Sequence, residues 1–247
     1  MEEIERLSKV LKLGYIKDNY DFLINEALDQ NYSYKEFLEL VLASEEQKRN
    51  ENGIVKRIRL AKFPFTSDLS DLDFNYYSLE IANRLRELGS LRFIDYGRNV
   101  ILIGNPGVGK TTNAIALGIK ACQEGKTVLY ITVPNLITEL KENMSLNQLS
   151  NYKKKFMKYD LIILDELGYI SFDKQGSELL FNLLSTRNIN KSIVITSNLP
   201  FNQWQTIFNG EVLTAAMVDR LAHKADVINI NAESYRLKET KEWLAKA

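Results

Sequence analysis

The apolar run Asn99-Val-Ile-Leu-Ile103 passes without a break into Gly104-Asn105-Pro106-Gly107-Val108-Gly109-Lys110-Thr111, and this junction restricts the fold more than any other stretch. Its spacing is G-x-x-x-x-G-K-[ST], with a strand pattern before it and a helical pattern, roughly Thr111–Gln123, after it. Glycines let such a loop curl until successive N–H groups point into one concavity, where no Cβ blocks an incoming phosphate. The following helix adds the partial positive charge of its N-terminus. Gly104, Asn105, Pro106, Gly107, Val108, Gly109, Lys110, Thr111 and Thr112 are therefore the expected nucleotide cradle. Lys110 is placed to reach the β- and γ-phosphates, and the Thr111 hydroxyl to ligate Mg2+.

From Asn99 onward, short apolar runs alternate with helical patterns. The others are Thr127-Val-Leu-Tyr-Ile131, Leu161-Ile-Ile-Leu164, Ser192-Ile-Val-Ile-Thr196 and Val227-Ile-Asn-Ile230. Strands this uniformly apolar are buried on both faces, and helices between them imply parallel crossovers, so the expected class is α/β with a five-stranded parallel sheet. Residues 1–62 read differently, as an N-terminal all-helical module ending in a basic linker, with 63–247 as the second domain. Ile4, Leu7 and Leu11 share one helical face, Ser33 and Glu36 form a capping box, and Phe37, Leu40 and Val41 supply the next apolar stripe. After Phe63-Pro64-Phe65 come a polar connector and a helix near Leu79–Leu88.

The strand at Leu161 ends in Asp165-Glu166. A carboxylate at the end of a buried strand beside the phosphate loop can hold Mg2+ through water, which is assigned to Asp165. A second carboxylate one residue on can polarise the attacking water, so Glu166 is the expected general base. The next strand ends Thr196-Ser197-Asn198, where an amide can orient the same water.

Composition narrows the class further. Hydrophobic residues make up 45% and charged residues 26%, which excludes a disordered chain. The lone Cys122 excludes a disulfide framework and fits a reducing compartment. Met1-Glu2-Glu3-Ile4-Glu5 has the wrong charge for a secretory signal, and no apolar stretch approaches membrane-spanning length. The expectation is a cytoplasmic protein without a membrane partner. The 32 basic and 32 acidic side chains cancel overall but not locally. Lys48, Arg49, Lys56, Arg57, Arg59 and Lys62 form one basic cluster, and Lys153, Lys154, Lys155 and Lys158 a second. His223 and Cys122 are read as structural, and Trp204 and Tyr235 as packing residues.

Gly104–Thr111, Leu161–Glu166, Ile195-Thr-Ser-Asn-Leu199, Asp219-Arg220-Leu221 and Ser234-Tyr235-Arg236, in this order and spacing, resemble the AAA+ ATPases of the IstB/DnaC group. Tyr34–Leu40 and Lys62-Phe-Pro-Phe65 resemble IstB, the helper ATPase encoded beside the transposase in one group of bacterial insertion sequences. The likeness covers nearly the whole chain. It implies a P-loop AAA+ ATPase domain with a small C-terminal lid. Asn198 then takes the sensor I position, Arg220 matches an arginine finger reaching the neighbouring subunit's γ-phosphate, and Arg236 matches the sensor II arginine of the lid.

The resemblance further implies that an insertion after the second strand, here Pro134–Lys158, faces DNA, and that the basic segment Lys48–Lys62 forms a second phosphate-contacting surface. The function it implies is an ATP-hydrolysing helper that assembles as an oligomer on duplex DNA and delivers target DNA to a transposase. A helicase loader of the DnaC type fits the same motifs. A small-molecule or nucleoside kinase on the same sheet is the reading from another class.

Overall fold

The structure is a computed structural model describing residues 3–187, 190–208, 210–232, 234, 235, 237, 240, 243 and 244. It divides into two compact units, residues 1–56 and 57–247.

The first unit holds helices α1 (Glu3–Val10), α2 (Gly14–Asp29) and most of α3 (Tyr34–Ala61). The start of α3 carries the reciprocal cap expected from sequence: the Ser33 N–H donates to Glu36 at 2.7 Å, and the Glu36 N–H to Ser33 Oγ at 3.4 Å. Among the described hydrophobic residues of this unit, only Ile16 and Leu23 are buried, while Ile4, Leu7 and Leu11 stay exposed. Three helices cannot enclose much apolar surface, so the unit leans on a polar tie. The buried Glu45 carboxylate crosses to the start of α2 and accepts the N–H groups of Gly14, Tyr15 and Ile16 at 3.2, 2.9 and 3.2 Å.

The basic segment read as a linker is helical. α3 runs unbroken through Gly53 to Ala61, and the division between units falls inside it, after Lys56 rather than after Lys62. A glycine costs a helix only about 1 kcal/mol, and burial of Ala61 and packing of Ile58 within the second unit offset that.

The second unit continues with α4 (Leu79–Leu88), α5 (Arg92–Asp95), β1 (Asn99–Gly104), α6 (Lys110–Gln123), β2 (Val128–Thr132), α7 (Val133–Ser145) and α8 (Leu149–Phe156). It is completed by β3 (Leu161–Leu167), α9 (Lys174–Thr186), β4 (Ser192–Ser197), α10 (Glu211–Ala222) and β5 (Ala225–Ile230). The five strands form one parallel sheet in the order β2-β3-β4-β1-β5. One core lies under α7, α9 and α10, and contains the wholly buried Trp204. The other lies under α4–α6 and contains Cys122, whose thiol burial pushes up to about 11. Gly118 sits where α6 crosses the sheet; a Cβ there would lie 2.7 Å from Ile163 and 2.8 Å from the Phe63 ring. Because β4 separates β1 from β3, the carboxyl ends of these three strands converge on one crevice, the usual binding edge of an open α/β sheet. Among the described residues, no helix is long and apolar enough to cross a membrane.

Candidate active site

The phosphate loop leaves β1 at Gly104 and enters α6 at Lys110. Gly107 and Gly109 both adopt φ of 84°, a left-handed conformation that suits glycine. The space beside them is also taken. A Cβ on Gly107 would lie 2.2 Å from Ser234 Oγ, and one on Gly109 would lie 2.5 Å from the Tyr77 hydroxyl. Val108 anchors the loop in the core. Lys110 is buried, and its Nζ donates to the carbonyls of Gly104 at 2.7 Å and Asn105 at 2.8 Å.

Two segments clasp this loop. Tyr77 donates its hydroxyl to the Val108 carbonyl at 3.2 Å and accepts from Asn113 Nδ2 at 2.9 Å, while the same Nδ2 donates to the Gly109 carbonyl at 2.8 Å. From the other end of the domain, the Tyr235 N–H donates to the Gly107 carbonyl at 2.9 Å. Tyr235 meets Tyr76 edge to face with centroids 5.3 Å apart. A cleft of about 360 Å³ opens between these groups and Gly107–Thr112.

Beside Lys110, the Thr111 hydroxyl donates to the Asp165 carboxylate at 2.9 and 3.1 Å. Asp165 is only 2% exposed and accepts two more hydroxyls, from Tyr130 at 2.6 Å and from Thr196. Burial and the Asp165 carboxylate push the Tyr130 hydroxyl well above the usual phenol range, so it remains a donor. A hydroxyl and a carboxylate form an oxygen-only donor pair suited to a hard divalent cation. The glycine cradle beside them is kept open for phosphate, so these residues fit Mg2+ together with a nucleotide.

Glu166 differs from its neighbours. It is the one exposed residue in β3, its φ is 63°, and the β3–β4 register slips between Leu164 and Leu167. That bulge turns its side chain away from the core. Asn198 lies just beyond β4, and its buried Oδ1 has no hydrogen-bond partner among the described residues. The same atom lies 2.5 Å from where a Cβ on Gly168 would sit, which ties the amide to the turn after Glu166.

The structure therefore brings Lys110, Thr111, Asp165, Glu166 and Asn198 to adjoining strand ends. It does not bring Arg220 to them. Arg220 donates to the carbonyls of Leu184 at 3.0 Å and Ser185, and lines a separate cavity that shares none of the described residues with the nucleotide cleft. Arg236 lies outside the described residues. Of the first basic cluster, Arg49 holds Glu45 and the Lys12 carbonyl, Arg57 donates to the Cys122 carbonyl, and Lys48 pairs with Glu51. Lys153–Lys155 fall in the last turn of α8, and neither they nor Lys158 pair with a carboxylate among the described residues.

Tyr77, Asn113, Tyr130 and Thr196 escape a reading of the sequence. Tyr130 carries a signal, since it is a polar-tipped residue between apolar neighbours inside β2, whereas Thr196 is one of three hydroxyl residues in β4 and does not stand out. Only the strand order shows that both face Asp165.

The model of the IstB-like ATP binding protein family matches residues 6–243. A Pseudomonas aeruginosa protein named for ATP binding in insertion sequence IS21 is 36% identical over 242 residues, covering 98% of this chain and 91% of its own. Its counterpart in insertion sequence IS5376 of Geobacillus stearothermophilus is 33% identical over 238 residues, covering 96% and 95%. The crystal structure of the DnaC helicase loader matches with a TM-score of 0.53 at 20% identity, over 74% of this chain and 99% of that one, a likeness of fold alone. With a P-loop opening α6 on a five-stranded parallel sheet and this match across nearly its whole length, the chain belongs to the IstB-like ATP binding proteins, with the AAA+ fold.

Proposed function

We propose that the chain is an Mg2+-dependent ATPase that assembles with copies of itself on duplex DNA and delivers that DNA to a transposase in the cytoplasm. The observation that carries this reading is the pairing of Thr111 with Asp165 below the phosphate loop, with Glu166 alone turned outward from a buried strand. Thr111 and Asp165 would hold Mg2+, which would supply positive charge beside the phosphates. Lys110 exchanges its two loop carbonyls for phosphate oxygens. Glu166 accepts the proton of the attacking water, and the Asn198 amide orients that water. Arg220, supplied by a neighbouring copy, and Arg236, from the chain's own lid, meet the charge that develops on the γ-phosphate.

The DNA part of the reading is supported by the α8 lysines, whose positive charge has no carboxylate partner among the described residues. Lys56 and Arg59 likewise pair with no carboxylate among the described residues. Lysine–phosphate contacts are sequence-independent, as a factor accepting many target sites requires. The names of the relatives place those proteins in insertion sequences, which favours transposition over helicase loading, a reading supported by fold likeness alone.

The test is fluorescence anisotropy on duplexes of unrelated sequence, with and without ATP, across a salt series. ATP should promote binding, and log K should fall linearly with log salt. Replacing Lys153, Lys154 and Lys155 together by Gln should reduce that slope by about 0.9 for each phosphate no longer neutralised, with ATP affinity retained. Duplex binding indifferent to ATP, or a slope indifferent to the substitutions, contradicts the proposal.

A further inference from the structure

The Thr196 hydroxyl stands between the two carboxylates to which the proposed function assigns different tasks. Its single proton goes to Asp165 Oδ1, and its oxygen accepts the Glu166 N–H at 3.1 Å. Thr196 is buried at the end of β4, so water cannot replace either bond cheaply. The Glu166 backbone needs such a hold. Its φ of 63° is uncommon for a residue with a side chain, and the local register slip leaves its N–H outside the regular β3–β4 ladder.

Asp165 is held from three sides. The Thr111 hydroxyl gives its one proton to the carboxylate and keeps its lone pairs for a cation. Tyr130 and Thr196 are the two donors to the carboxylate that belong to the neighbouring strands β2 and β4. They differ in one respect: among the described residues the Tyr130 hydroxyl bonds Asp165 only, whereas the Thr196 hydroxyl bonds both Asp165 and the Glu166 backbone.

We infer that Thr196 is a positioning residue whose hydroxyl sets the metal-holding carboxylate of Asp165 and the outward presentation of Glu166 together, so that one group tunes both metal affinity and turnover. The inference rests on the assignment of Asp165 to Mg2+ and Glu166 to the water. A role in stability alone would lower the amount of folded protein without moving the metal requirement of what remains.

The experiment uses the full chain and a fluorescent ATP analogue. Nucleotide binding is measured in EDTA and then across an Mg2+ titration, and hydrolysis is followed in parallel. Thr196→Val keeps the shape and removes the hydroxyl. It should bind nucleotide like wild type in EDTA and raise the Mg2+ concentration for half-effect by about 10–100-fold, the usual cost of losing a partner of a metal ligand. Its kcat at saturating Mg2+ should fall by about tenfold or more, as expected when a general base is misaligned. Thr196→Ser restores the hydroxyl and should recover both quantities. Tyr130→Phe should raise the metal requirement similarly but lower kcat less, because the Glu166 N–H keeps its acceptor.

Asp165→Asn separates the two levels of the claim. If it loses the Mg2+ effect while Thr196→Val behaves like wild type, the inference is overturned and the assignment of Asp165 stands. If Asp165→Asn keeps a normal Mg2+ response, the assignment falls and the inference with it. Should Thr196→Val fail to fold, Thr196→Ala takes its place, and a wild-type metal titration and kcat in that variant overturn the inference equally.

Discussion

Arg220 donates its Nε to the Leu184 carbonyl at 3.0 Å, at the C-terminal end of α9, and so points away from the chain's own phosphate loop. An arginine held there can serve a nucleotide only across an interface. Arg220→Ala should therefore leave ATP binding intact while hydrolysis fails, since arginine fingers contribute about 10³–10⁵ in rate. Lys110→Ala has the reverse defect, a failed pocket with a sound Arg220. Mixing the two inactive variants should restore hydrolysis at interfaces where an intact pocket meets an intact arginine. No rescue despite demonstrated co-assembly would overturn the assignment.

Tyr77 should matter to nucleotide affinity although it belongs to the polar connector before the sheet. Its hydroxyl lies between the Val108 carbonyl and the Asn113 amide, within the space that Gly109 leaves open. Tyr77→Phe removes those bonds and leaves the ring. Loss of about 0.5–1.5 kcal/mol, the net worth of a typical hydrogen bond, should weaken ATP binding roughly 2- to 12-fold in a direct titration. An unchanged Kd removes Tyr77 from the account of the loop.

The N-terminal unit should be acid-sensitive through Glu45. Burial raises its carboxyl pKa, but the N–H groups of Ile16 and Tyr15 and the Arg49 guanidinium outweigh that and hold it below the ordinary value. A depressed native pKa contributes stability that is complete above the unfolded pKa and is lost as pH falls through the native one. Amide-exchange protection at the start of α2 should therefore decline as the solution is acidified below the ordinary glutamate range. Glu45→Gln should lower protection at neutral pH, by about 1–3 kcal/mol for a charged hydrogen-bonding group, and flatten the pH dependence. Protection that ignores both pH and the substitution contradicts this.

The sheet was legible because its strands are near-continuous apolar runs bounded by turns; each expected run lies in or within one residue of an observed strand. The helix expected near Leu79–Leu88 spans those residues. The cradle was legible because four fixed residues must sit between a strand and a helix. What the sequence concealed depends on neighbours distant in the chain. Thr196 and Tyr130 belong to different strands, and only the order β2-β3-β4 sets both against Asp165. The positive φ of Glu166 follows from a bulge that no local pattern marks. The continuity of α3 was hidden by Gly53 and by charge density that resembles a solvated linker. Ile4 and Leu7 lie in α1 as periodicity implies, with Leu11 just past its end, but periodicity alone does not supply a surface to bury them.

Glu166 is the group proposed to accept a proton from water, and Glu166→Gln tests that role most directly. The amide keeps the size of the side chain but is a far poorer base. Single-turnover hydrolysis should slow by about 10²–10⁴ with ATP affinity unchanged, and the variant should remain on duplex DNA in ATP after wild type has released it. Hydrolysis at the wild-type rate in that variant would contradict the central claim.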